Sequence, residues 1–161
     1  MPEVISDTSP LQYLFQANLL ELLQKLYGQI TIPEAVLNEI TAGHTLGIRL
    51  PDLTAVSWIQ VRQVRDPASR PLASDLGAGE RDVLALAIET ADSLVLLDDA
   101  LARRHAKLLK IAFTGTLGVL LKAKAQRHLP AITPVIDELE ALGFRLDPST
   151  RIAVLELARE L

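Results

Sequence analysis

The chain has 161 residues, 49% of them hydrophobic, a formal net charge of −4 and no cysteine. That length and apolar content fill one sizeable core, and the acidic balance argues against a protein that coats nucleic acid over its whole surface. The missing cysteines exclude disulfides, thiolate metal sites and cysteine nucleophiles, so any metal must sit on oxygen or histidine.

In chain order, Val4–Ser6 is a short apolar run that stops at Asp7, and Ser9-Pro10 then reads as an N-cap hydroxyl followed by proline at the first helical position. Leu11, Leu14 and Phe15 recur at helical spacing. Asn18 reads as a second cap, followed by Leu19, Leu22, Leu23 and Leu26 up to Tyr27-Gly28. Gln29–Ile32 is β-like, and Pro33-Glu34 starts a helix that runs through Ile40 and ends at the glycine of Ala42-Gly43. Val56–Val64 alternates as an edge or half-buried strand, and residues 65–76 form a loop.

Ala78–Ala91 is again helical, and "SLVLLD" is a continuous apolar run closed by an acid, the mark of a buried parallel strand. A helix over Ala100–Lys110, a strand at Ile111–Phe113, a helix over Gly115–Gln126 and helical segments at Pro134–Leu142 and Ser149–Leu161 complete the chain. Alternating strands and helices predict an α/β fold with a parallel sheet between helical layers, over one domain of residues 1–161. Its core motifs span 4–124, and 130–161 form a helical extension. The longest apolar stretches, 92–97 and 113–121, fall well short of the roughly 18 to 20 residues of a membrane span. Met1-Pro2-Glu3 has no secretory character, so the expected location is the cytoplasm, without a membrane partner.

The acids carry the functional reading. In open parallel sheets, ligands bind beyond the carboxyl ends of the strands, and Asp7 and Asp98 both fall at such ends. Glu80 lies within about 60° of Val83, Leu84, Ala87 and Ala91, a carboxylate in the middle of an apolar stripe. Its place in the first turn also favours the helix dipole. Glu39 lies on the flank of its stripe, where a boundary surface acid is the simpler reading. Asp7 alone could satisfy turn amides, and Asp99 alone could cap the following helix. Jointly, Asp7, Glu39, Glu80 and the Asp98-Asp99 pair come from separate elements and repel one another unless a cation compensates. Oxygen-only ligands select Mg²⁺ or Mn²⁺.

These residues resemble the PIN-domain ribonucleases, and in particular the prokaryotic VapC-like toxins. The resemblance rests on "ISDTSPLQYL", "TIPEAVLNEI", "LGAGERDVLALA", "LVLLDDALARRHA" and "FTGTLGVLLKAK", in that order over residues 4 to about 124. It implies a three-layer α/β/α domain with an acidic pocket that binds Mg²⁺ or Mn²⁺ and hydrolyses RNA. Asp7, Glu39, Glu80 and Asp98 would be the catalytic acids, and Asp7, Glu80, Asp98 and Asp99 the metal ligands. Asp98 is favoured over Asp99 because it ends the strand. Glu80 stands where many relatives carry aspartate. Ser9 would match the small hydroxyl near the first acid, or serve as the cap before Pro10. A homodimer and a small antitoxin partner are further implications of the same resemblance.

For the RNA substrate, Arg103, Lys107 and Lys110 fall within about 60° of one another on a helical wheel, with Leu101, Leu108 and Leu109 opposite. Lys122, Lys124 and Arg127 extend this basic stripe, whose simpler reading is a solvated helix face. His44, His105 and His128 form no constellation, and His105 reads as a packing residue. The alternative function is a catalytically inactive PIN-like interaction module, against which the presence of all four acids counts. A phosphoacceptor receiver domain would want a lysine at the end of a later strand, which "IAFTGT" lacks. "GAGERD" is too incomplete for a dinucleotide fingerprint.

Overall fold

Short apolar runs that can be buried on both faces make the sheet. The computed structural model describes residues 1–71 and 75–161, so positions 72–74 of the expected 65–76 loop lie outside the described residues. Strands β1 (Glu3–Ser6), β2 (Ile30–Pro33), β3 (Ile59–Arg62), β4 (Ser93–Leu96) and β5 (Phe113–Thr114) form one parallel sheet in the order β3-β2-β1-β4-β5. Val4 and Ile5 of β1, all of β2, and Val95 to Leu97 are buried. Each large aliphatic side chain removed from water contributes about 1.5–3 kcal/mol, which favours placing β1 at the centre.

Among the described residues, eight helices flank the sheet: α1 (Thr8–Gln16), α2 (Glu21–Tyr27), α3 (Glu34–Thr45), α4 (Ala78–Ile88), α5 (Ala100–Leu108), α6 (Thr116–Ala125), α7 (Thr133–Ala141) and α8 (Pro148–Leu157). Helix α4 packs across β1, β2 and β4 and against α3 and α5, while α6 gathers α1, α2 and α8. The result is the expected three-layer α/β/α arrangement. The chain runs outward from β1 through β2 to β3, then returns to the other side of β1 for β4 and β5. The strand order therefore reverses between β1 and β4, and such a switch point opens a crevice beyond the carboxyl ends. Among the described residues, no helix is long and apolar enough to cross a membrane.

Several local expectations give way to the structure. Helix α1 starts at Thr8 with Asp7 at the N-cap position, so Ser9 and Pro10 are its second and third residues. The proline is tolerated there because the first four amides have no intrahelical partner. Asn18 is not a cap for α2. It closes α1 in the left-handed region, φ 60°, where the Leu19 amide donates to Leu14 and the Asn18 amide to Phe15. Lys110, Arg127 and Arg159 close α5, α6 and α8 in the same way, which ends α5 before Lys110 and α8 before Leu161.

Gly43 does not end α3. It is buried inside the helix, where a Cβ would run into the Leu50 side chain, and Gly47, φ 78°, closes the helix instead. Strand β3 is shorter than 56–64, with a 3-10 turn at Leu53–Ala55 before it. Strand β5 begins two residues after Ile111 because the αL turn at Lys110 comes first. The 65–76 loop contains a 3-10 turn at Pro67–Ser69, capped by Asp66. On α5 the buried face is Ala102 and Ala106, while Leu108 and Leu109 are exposed.

The C-terminal helices are tied to the body through Glu160. Its carboxylate accepts from Lys124 Nζ at 2.8 Å, from the Ile132 and Thr133 amides at 2.8 and 2.9 Å, and from Thr133 Oγ1. Burial opposes the charge, but the Lys124 and Thr133 bonds together with the two amides outweigh it and hold the pKa down to about 2. A carboxyl that is more acidic in the fold than in the open chain stabilises above the open-chain value and stops doing so as pH falls toward the folded one. Glu160→Gln should therefore lower stability by about 2 kcal/mol at neutral pH. In thermal melts, the gap from wild type should narrow as pH is taken from 5 toward 2.

Candidate active site

The crevice at the switch point is lined by acids because β1 and β4 run into Asp7 and Asp98-Asp99, α4 carries Glu80 in its first turn, and α3 brings Glu39 from its middle. The Asp7 amide continues the ladder by donating to Leu96 O at 3.0 Å, which places the residue at the mouth of the sheet beside β4. Its side chain makes no cap bond to α1. The residue is 4% exposed, and Oδ1 is buried without a hydrogen-bond partner. Burial first, and then the negative charges of Glu80, Glu39 and Asp98, push its carboxyl up to about 8, with the Thr8 amide opposing only in part.

Glu39 enters from α3. Its Oε1 accepts from Thr8 Oγ1 at 2.5 Å and its Oε2 from the Gly79 amide at 3.1 Å, one of the amides that the start of α4 leaves free. Glu80, one residue on, is half-buried. Its pKa is raised chiefly by burial and then by Glu39 and Asp99, its own backbone amide opposing. Asp98, half-buried beyond β4, accepts from the Thr116 amide at 2.8 Å and from Thr116 Oγ1 at 2.6 Å. Burial raises its pKa, against these two bonds and the Arg103 guanidinium. Asp99 is exposed and caps α5 by accepting from the Ala102 amide at 2.9 Å.

Glycine makes the room. A Cβ on Gly77 would meet the Glu80 carboxylate, one on Gly79 the Glu39 carboxylate, and one on Gly115 Asp98 Oδ1 at 2.7 Å. Three of the acids thus lie over bare backbone, and any side chain at those positions would occupy their space.

Five acids from the β1–α1 junction, α3, α4 and the β4–α5 junction therefore form one electrostatic cluster. Among the described residues, no three acids or imidazoles stand together at ligating distance. Glu39 is held by Thr8 and Gly79, Asp98 by Thr116, and Asp99 by its own helix. His44 Nε2 is 3.1 Å from Pro51 O, at the far end of α3.

The donor set nonetheless fits a hard divalent ion. Every acid in the cluster offers oxygen, Asp7 Oδ1 is an orphaned buried acceptor, and among the described residues Arg103, acting on Asp98, is the one cation in the balance of charges on Asp7, Glu80 and Asp98. A buried carboxylate surrounded by like charges is compensated either by a proton or by a cation.

Next to the first acid, the hydroxyl that contacts the cluster is that of Thr8. Thr8 bonds Glu39, whereas Ser9 makes no side-chain hydrogen bond among the described residues. Thr116, buried completely, is a second supporting residue that the helical pattern did not reveal. Its signal was local: a hydroxyl directly after Gly115, at the first position of a helix.

The basic stripe does not stay together. Arg103 is half-buried, its guanidinium 5.0 Å over the Phe113 ring and beside Asp98. Lys107 is exposed further along α5. Lys110 lies at the opposite edge of the sheet, where it lines a cleft with Asp92 and Ser93 at the start of β4. A nine-residue helix laid along the sheet is long enough to carry its two ends to different edges.

Two measurements check this geometry. In the ion-free protein the raised carboxyl of Asp7 stabilises the fold least at high pH, because the folded state must then hold the charge. Asp7→Asn should stabilise it at pH 8 by about 2 kcal/mol or more. The gain should disappear as pH falls below about 4, read from melts in EDTA. Thr116→Val removes the hydroxyl bond to Asp98 Oδ2 and leaves the amide bond to Oδ1, and should weaken Mn²⁺ binding by about 10-fold or more in calorimetric titrations.

The PIN-domain family described as DUF3368 matches residues 3–160. No curated protein matches the chain. With nearly the whole sequence covered and a parallel sheet that gathers acids at its switch point, the chain belongs to the PIN-domain family, whose fold is that of nucleases.

Proposed function

We propose that the protein is a divalent-metal-dependent endoribonuclease that hydrolyses RNA phosphodiester bonds through the crevice at the carboxyl ends of β1 and β4. The observation that carries this reading is Asp7. Its unpartnered oxygen is buried at the end of the central strand among Glu39, Glu80 and Asp98, an arrangement that an unaccompanied structural aspartate would not favour.

Asp7, Glu80 and Asp98 would hold Mg²⁺ or Mn²⁺, with Glu39 and Asp99 at the flanks. When bound, such an ion supplies Lewis acidity toward water and phosphodiester oxygens. The chain's own residues do the positioning. Thr8 and the Gly79 amide fix the Glu39 carboxylate, and Thr116 fixes Asp98. Arg103, beside Asp98, offers a guanidinium to a phosphate. Hydrolysis replaces one ester oxygen on phosphorus with water, and it requires neither a histidine nor a covalent nucleophile from the chain.

RNA as the substrate, a toxin role with a small antitoxin as partner, and a homodimeric state are supported by the motif resemblance to VapC-like proteins. Purified protein should cleave end-labelled single-stranded RNA with Mn²⁺ or Mg²⁺ and not with EDTA. Asp7→Asn and Asp98→Asn should each lower the rate by at least about 100-fold. Equal cleavage by wild type and variants would point to a contaminant. Absence of both cleavage and metal binding would favour an interaction module without catalysis.

A further inference from the structure

Outside the acid cluster, the chain's C-terminal segment builds something that the nuclease reading does not use. A cavity of about 310 Å³ runs from Asp98 and Gly115, along α6, to the segment between α7 and α8. That volume is at the lower end of small-ligand sites, which span about 300–1,000 Å³. One wall is apolar, made by Leu117 and Leu121 of α6 and by Phe144, whose ring is fixed edge-on against Tyr13 with centroids 5.0 Å apart.

Two arginines line the cavity, Arg103 from α5 and Arg145 from the α7–α8 connection. Neither takes part in an ion pair among the described residues. The other charged groups in the lining are Asp98, held by Thr116, and Asp147, whose oxygens accept from Ser149 and Thr150 at the start of α8. Two unpaired arginines beside an apolar wall, in a chain of net charge −4, match the chemistry of a nucleotide: phosphate for the guanidinium groups and base for the wall.

We infer that this cavity is a nucleotide subsite for the RNA strand next to the scissile bond, with Arg145 as a phosphate-positioning residue contributed by the C-terminal extension. The inference rests on the nuclease reading above and extends it to a part of the chain beyond its acid motifs. It also redirects the basic path: from Arg103 the strand runs toward α8, away from Lys110 at the other edge of the sheet.

The test uses the full chain carrying Asp7→Asn, with a fluorescein-labelled single-stranded RNA heptamer followed by fluorescence anisotropy across a salt series in Mg²⁺. Adding Arg145→Ala should weaken binding several-fold and reduce the slope of log affinity against log salt by about 0.7, the share of one phosphate contact on a single strand. Lys110→Ala should leave both unchanged. Arg145 is exposed, so its removal should leave the melting temperature where it was. If Arg145→Ala and Lys110→Ala behave alike while the wild type still cleaves RNA, the subsite is overturned and the nuclease reading stands. If the heptamer does not bind and the wild type shows no metal-dependent cleavage, both are overturned.

Discussion

Like charges held close together out of water are the constraint on which this molecule turns. Burial alone disfavours the charged form of Asp7, and three neighbouring carboxylates add to the cost. Such a group persists only if its surroundings over-determine its position, and they do. The Asp7 backbone is pinned to Leu96 by the sheet ladder on one side and leads directly into α1 on the other. The neighbouring acids are fixed by Thr8, Gly79 and Thr116, and glycines keep backbone sites bare where Glu39, Glu80 and Asp98 lie. The site is a set of repelling groups immobilised by the fold, and a cation would relieve the repulsion without any of them having to leave its element.

The fold makes this placement inexpensive in sequence. A parallel sheet directs all strand ends to one edge, and reversing the strand order at β1 and β4 opens a gap in the helical cover where two of those ends meet. Asp7 and Asp98 need only follow their strands to lie at its rim. Glu39 and Glu80 come from helices that already pack against each other.

Much of this is legible in the residues. Apolar runs closed by acids mark β1 and β4, and the placement of Glu80 within an apolar stripe marks a carboxylate aimed inward. What is not legible shares a physical cause: side-chain hydrogen bonding and backbone conformation leave no periodic trace. Ser9-Pro10 has the composition of a helix start, but the ladder bond of Asp7 sets the start two residues earlier. Gly43 has the composition of a stop, but it is a packing notch for Leu50. Wheel geometry collects Arg103, Lys107 and Lys110 on one stripe, yet it carries no information about distance along the axis or about an αL turn at Lys110. Residues of the C-terminal segment reach the cavity at Asp98 through tertiary packing, which no local pattern encodes.

The junction between β1 and α1 contains no loop at all: strand, N-cap and helix follow one another at Ser6, Asp7 and Thr8. The spacing between Asp7 and Asp98 is thus inherited from backbone register, Ser6 opposite Leu96, and a slip of one residue would turn every β1 side chain to the other face. One residue inserted or deleted between Val4 and Thr8 therefore dismantles the site while leaving the composition of the chain almost untouched.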